Sequence, residues 1–255
     1  MLLAIDVGNT HTVLGLFAGD ELRFRWRIAS DSARTADEFG ILVRELCGQS
    51  GVDFGDLKGV VVCSVVPALT TALTDTSRRI IGVEPIVVGP ELDLGISVDY
   101  PDPREMGPDR LANAAAVHDR IDGPAIVVDF GTATTFDVVS ADGRHMGGAI
   151  APGVMTSAEN LFLRGARLHR VALEAPPSAI GRSTEDAMRS GIVYGSVGQV
   201  DEIVRRIVKE WGEKPVVIAT GGLAGTIAEF SETIDLVEPD LTLQGLAAIY
   251  RRVTG

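Results

Sequence analysis

The sequence has little cysteine, no long apolar run and no block of basic residues, and each shortage removes a class of function. Only Cys47 and Cys63 occur among 255 residues. A single pair in a chain of that size is no disulfide framework, so both are read as buried, reduced thiols of a cytoplasmic protein. No apolar stretch reaches the roughly 20 residues that cross a bilayer, and the first residues are strand-like without a basic leader, so neither anchor nor signal peptide is expected. The formal charge is −12. With no compensating basic tract to release counterions, this argues against nucleic-acid backbone as a partner. Small anionic substrates must then be held by local devices: turn N–H groups, helix N-termini or a divalent ion.

Several motifs are missing as well. No Gly-Lys-Ser/Thr follows the glycine turns at Walker A distance, and no Gly-x-Gly-x-x-Gly is present, which removes the P-loop and dinucleotide readings. The four histidines, His11, His118, His145 and His169, show no metal-ligand spacing. His118, His145 and His169 read as structural, whereas His11 stands beside a glycine turn. No Ser-His-Asp order sits at a sharp elbow, so a hydrolytic nucleophile is not expected.

What is present is ordinary globular composition, 45% hydrophobic and 23% charged, organised around one repeated unit. Residues 125–140, AIVVDFGTATTFDVVS, run an apolar strand into Asp129, turn through Gly131-Thr132-Ala133-Thr134-Thr135 and leave as a second strand. LLAIDVGNTHTVLGLF at the start does the same, with Asp6 after the strand and Gly8-Asn9-Thr10 in the turn. A small, hydroxyl-rich turn beside a fixed carboxylate is a phosphate and metal cradle. Two copies imply two homologous halves facing each other across a cleft, here taken as residues 1–116 and 117–255.

Strand periodicity continues through Glu21 to Ala29, where Leu22, Phe24 and Trp26 alternate with charged neighbours, and helical spacing follows over Ala36 to Cys47. Gly59 to Val66 reads as a buried strand stopped by Pro67, Ala68 to Ile81 as a helix and Glu84 to Val88 as a strand. Leu92 to Arg110 holds Pro101, Pro103, Pro108, Gly95 and Gly107, which marks an ordered functional loop ending just before a helix over Leu111 to His118. In the second copy the glycines of His145 to Gly153 would let backbone approach a ligand. Helices are expected over Met155 to Leu163, Thr184 to Glu210 and Leu241 to Val253, and a buried strand over Pro215 to Ala219.

Asp6 and Asp129 could each merely cap their own loops, but matching places in two copies favour work on polyphosphate through hydrated Mg²⁺. The threonines after each glycine are β-formers or phosphate contacts. Gly221-Gly222 is a plain strand-to-helix turn or the bare backbone against which an adenine lies. Asp109-Arg110 is a salt-bridged helix start, or a carboxylate that takes the proton of an attacking hydroxyl beside a guanidinium that holds an anionic part of the substrate. Tyr100 could line the same pocket.

Taken together, Asp6 to Thr10, Tyr100 with Gly107-Pro108-Asp109-Arg110, the Asp129 to Thr135 turn, Gly147 to Gly153 and Thr220-Gly221-Gly222 resemble type III pantothenate kinases. The resemblance runs from Met1 to about Tyr250. It implies an α/β, duplicated RNase H-like (actin-like ATPase) fold, two similar domains with a central cleft, and ATP-dependent phosphorylation of pantothenate on the way to coenzyme A. By motif matching it implies that Asp6, Val7, Gly8, Asn9, Thr10, His11, Thr12 and Val13 take the ATP phosphates, with Thr132 contributing and Gly221 and Gly222 at the adenosine. Asp109 would be the proton acceptor. Tyr100, Gly107, Pro108, Asp109, Arg110 and Thr184 would hold pantothenate. Asp129 would serve a monovalent cation, K⁺ or NH₄⁺, and Asp6 would serve Mg²⁺ through ATP. The resemblance further implies a homodimer. The alternatives are another small-molecule kinase of the superfamily and a non-catalytic, nucleotide-binding regulatory factor.

Overall fold

Apolar alternation sets where each strand lies, and the chain forms its first sheet within the opening hairpin. The computed structural model describes residues 1–164 and 170–255, so the reading of His169 lies outside the described residues. Strand β1 (Leu2–Val7) pairs antiparallel with β2 (His11–Ala18), which pairs antiparallel with β3 (Glu21–Ala29). After helix α1 (Ala36–Gln49), β4 (Gly59–Ser64) returns parallel to β1. Helix α2 (Pro67–Asp75) runs into a π-helical turn, Thr76–Ile81, and β5 (Ile86–Val87) joins β4. The resulting order is β3-β2-β1-β4-β5. A two-residue strand β6 (Ser97–Val98) and helix α3 (Pro108–Arg120) complete the first stretch.

Strand β1 is buried on both faces, as its unbroken LLAI start requires. Leu3, Ile5 and Val7 pack with Phe39, Val43, Leu69 and Leu73, and Leu2 and Ala4 with Leu111, Ala112 and Ala115. Each fully buried side chain of this kind contributes roughly 1.5–3 kcal/mol. That layering, more than turn chemistry, holds the end of β1 where it is. β3 is the wet edge, its charged residues exposed and Phe24 and Trp26 stacked at 5.9 Å.

The second unit repeats the plan. Strands β7 (Ala125–Phe130), β8 (Ala133–Val139) and β9 (Arg144–Pro152) form an antiparallel meander. Helices α4 (Val154–Arg164) and α5 (Thr184–Trp211) follow, then β10 (Val216–Gly221) parallel to β7, α6 (Ala224–Ala228) and β11 (Leu236–Val237). The order β9-β8-β7-β10-β11 matches β3-β2-β1-β4-β5 strand for strand.

Three expectations are corrected. The last helix, α7 (Leu241–Thr254), belongs with the first unit, which comprises Met1–Arg120 and Leu241–Gly255, the second being Ile121–Asp240. The reason is packing: Leu243, Leu246, Ala247 and Ile249 share the core of Leu2, Ala4 and Leu111, and a side chain at Gly245 would run into the carbonyl of Ala112. Helix α3 starts at Pro108, which suits a first helical position, so Asp109 and Arg110 lie within its first turn rather than ahead of it. Pro67 likewise opens α2 besides closing a strand.

Candidate active site

At the end of β1 the chain reverses through Gly8-Asn9-Thr10, closed by the Gly8 N–H on the His11 carbonyl at 3.0 Å. Ser30 clamps the turn from behind. Its hydroxyl donates to the Gly8 carbonyl at 2.7 Å and lies 2.9 Å from Thr12 Oγ1, and its N–H donates to the Thr10 carbonyl at 3.0 Å. Two carbonyls that would repel an anion are thus occupied by donors. Asn9 and Thr10 are exposed, whereas Val7 and Thr12 are buried and Val13 packs on the core. His11 is held by Arg27, whose Nη2 lies 2.8 Å from Nδ1. Burial, and next the Arg27 charge, keep the imidazole below its ordinary value of 6.5. Asp6 is half-buried, and Cys63 Sγ donates to its Oδ1 at 3.4 Å.

Asp109 sits in the first turn of α3, where helix N–H groups favour negative charge. Its Oδ1 accepts the Arg110 N–H at 2.9 Å and lies over Gly107, where a side chain would push the carboxylate aside. Arg110, only 7% exposed, donates from Nη2 to the Tyr100 hydroxyl at 3.3 Å, its guanidinium 5.9 Å from the ring centre. Tyr100, Gly107, Asp109 and Arg110 therefore form one cluster. The direction of α3 follows from α7. The end of α7 lies at the start of β4, because Tyr250 fills the space beside Gly59. Thr242 bonds Asn113 at 2.8 Å and Arg251 bonds Asp119 at 3.4 Å, so α3 runs alongside α7 in the same sense. The first turn of α3 therefore points to the carboxyl ends of β1 and β4, the end that carries Asp6. Carboxyl ends of parallel strands are where α/β sheets bind ligands.

In the second unit Asp129 is the last residue but one of β7, opposite Thr135 on β8 and Thr220 on β10. The turn is one residue shorter, closed by the Gly131 N–H on the Ala133 carbonyl at 3.0 Å. Thr132 is exposed, and its carbonyl accepts Thr156 Oγ1 at 2.7 Å, the counterpart of the Ser30 clamp. Gly221 has φ +91, and a Cβ on it would stand 2.7 Å from Asp129 Oδ1. Its bareness makes room for the carboxylate. Gly222 is exposed and faces open space. Thr184 is exposed at the start of α5, after the N-cap Ser183. Gly148 and Gly153 lie against the carbonyls of Phe136 and Thr132, so the close approach they permit is to the protein's own backbone.

Sequence reasoning missed Ser30, Thr156 and the Cys63 contact of Asp6, because only the folded chain brings these distant residues together. It also missed a wholly buried pair, His145 Nε2 with Asp137 Oδ1 at 2.8 Å, supported by Thr135 Oγ1 on Asp137 and the Gly147 N–H on His145 Nδ1.

The family model described as type III pantothenate kinase matches residues 2–206. A Moorella thermoacetica protein described as type III pantothenate kinase is 51% identical over 254 residues, 100% of both chains. Among solved structures, component A of (R)-2-hydroxyglutaryl-CoA dehydratase from Acidaminococcus fermentans covers 100% of this chain and 99% of its own at 15% identity, with TM-score 0.56. The activator of 2-hydroxyisocaproyl-CoA dehydratase from Clostridium difficile covers 98% and 93% at 15% identity, with TM-score 0.55. At that identity these two speak for the fold alone, which is the actin-like ATPase and sugar kinase fold.

Proposed function

The chain belongs to the type III pantothenate kinase family, and we propose how its own residues carry that reaction. The protein transfers a phosphoryl group from ATP to the primary hydroxyl of pantothenate, giving 4'-phosphopantothenate, the first step of coenzyme A biosynthesis; ATP acts with a divalent metal. Asp109 accepts the proton of the attacking hydroxyl. Arg110 pairs with the pantothenate carboxylate, Tyr100, Gly107 and Pro108 bind beside it, and Thr184 is assigned a further contact to pantothenate. The turn from Asp6 to Val13 takes the ATP phosphates, Thr132 adds a contact, and Gly221 and Gly222 serve the adenosine. The observation that carries this reading is the Asp109, Arg110 and Tyr100 cluster in the first turn of α3, the end of that helix directed to the strand ends that carry Asp6.

The donor set fits the metal. Among the described residues no three His, Cys, Asp or Glu side chains gather into a metal cage. One carboxylate plus substrate phosphates is how Mg²⁺ is commonly held with nucleotides, and Asp6 would supply that carboxylate. When bound, Mg²⁺ neutralises charge on the transferring phosphates. Asp129, half-buried among threonines, would hold the monovalent cation, K⁺ or NH₄⁺.

We further assign a homodimer. An apolar groove of about 640 Å³ between α4 and α5 includes Val154, Leu161, Met188 and Ile192, and Leu161 and Met155 are 41% and 44% exposed. A second copy would cover that face. Cys47 and Cys63, buried and not joined in a disulfide, suit a reducing cytoplasm, which cell fractionation checks.

ADP release from ATP tests the whole reading when run with pantothenate, sugars, acetate or no acceptor, in K⁺ and in Na⁺ buffers. Release should require pantothenate and be faster in K⁺. Equal release with a sugar would overturn the acceptor assignment, and equal rates in the two salts the role of Asp129.

A further inference from the structure

Asp6 has a neighbour whose chemistry the reaction leaves unused. Cys63 is wholly buried, stands at the same register on β4 as Asp6 on β1, and donates Sγ–H to Asp6 Oδ1 at 3.4 Å. Residues in register on neighbouring strands leave the sheet on the same face, so this contact is built into the pairing of β1 and β4.

We propose that Cys63 is a positioning residue for Asp6, its thiol fixing the rotation of the carboxylate that serves Mg²⁺ and the ATP phosphates. The proposal rests on the assignment of Asp6 to that role. A thiol suits the task because it is a weak donor. It orients an oxygen without cancelling the negative charge a divalent ion needs, as a lysine or arginine there would. The duplication offers an independent observation. Thr220 stands on β10 at the same register beside Asp129, and it too is buried, at 2% exposed. Each copy places a short donor-bearing residue across the parallel pair from its aspartate. The donors differ chemically, one thiol and one hydroxyl, so the shared feature is the capacity to donate rather than the residue itself.

A space-filling role predicts a different outcome from a donating one. Cys63→Val keeps bulk and removes the donor, while Cys63→Ser keeps a donor. Cys63→Val should raise KM for Mg²⁺–ATP about three- to tenfold, the range of an ordinary hydrogen bond as expected of a weak thiol donor, and leave KM for pantothenate unchanged. Cys63→Ser should return KM for Mg²⁺–ATP most of the way. In the unmodified protein the infrared S–H stretch of Cys63, identified by its loss in Cys63→Ser, should shift when Asp6 is changed to Asn. An unchanged KM for Mg²⁺–ATP in Cys63→Val, equal losses on both substrates in Val and Ser variants, or an S–H band indifferent to Asp6→Asn would overturn the proposal. If Cys63→Val does not fold, the infrared band decides alone. Asp6→Asn kinetics separate the two levels. A normal KM for Mg²⁺–ATP there removes the assignment of Asp6 and the proposal with it, whereas a raised one beside a normal Cys63→Val removes only the role of Cys63.

Discussion

Single residues in this protein are constrained by what lies against them. Gly221 is the sharpest case, with a left-handed φ of +91 and an Asp129 oxygen where a side chain would go. Gly221→Ala should cost about 1–3 kcal/mol, the usual range for a strained backbone position, and should also displace Asp129. Thermal denaturation checks the first effect, and an unchanged melting temperature would contradict it. From sequence, Thr220-Gly221-Gly222 marked a turn after a strand, but which glycine serves geometry and which faces outward depends on Asp129, far away in the chain. The same holds for Asp6. Its aspartate-glycine motif was legible, while its thiol partner was hidden, because a parallel pairing joins residues with no regular spacing. Cys63 read only as a buried thiol.

At the level of elements, the period-2 and period-3.6 patterns located the strands and long helices, since burial imposes those periods. Ends were less legible. Proline breaks a helix interior but opens a first turn, so Pro108 and Pro67 start helices that the sequence reading began later, at Leu111 and Ala68. The short α6 and β11 carry too few residues for any period. Helix α5 is tied to the segment before β11 by Asp201, which accepts Ser231 Oγ at 2.6 Å, Thr233 Oγ1 at 2.8 Å and the Glu232 N–H at 3.2 Å. Burial alone would push this carboxyl up, but those donors and the Arg205 charge outweigh it and hold it below 3.8. A carboxyl held low in the folded state stabilises above its unfolded value, and loses that contribution as pH falls through the lower folded value. Asp201→Ala should therefore cost about 2–3 kcal/mol near neutral pH, with the difference from the parent shrinking in acid below 3.8. Urea titrations at several pH values test this, and a gap that persists in strong acid would count against it.

Across the whole molecule, the duplicated strand order was legible because both copies of strand, aspartate and glycine turn stand in the sequence. The destination of α7 was not, because chain order says nothing about which core a last helix joins. The α4–α5 groove yields its own expectation: Leu161→Asp should give monomers in sedimentation velocity, and an intact dimer would move the interface elsewhere.

The central claim is that Asp109 readies the hydroxyl of pantothenate for attack on ATP. Asp109→Asn removes the proton acceptor while keeping size and one hydrogen-bonding oxygen. Turnover and ATP affinity, measured on the same preparation, test the claim most directly. Turnover should fall by about 10²–10⁴-fold, the usual contribution of a general base, with ATP bound as tightly as before. Turnover close to that of the parent would contradict it.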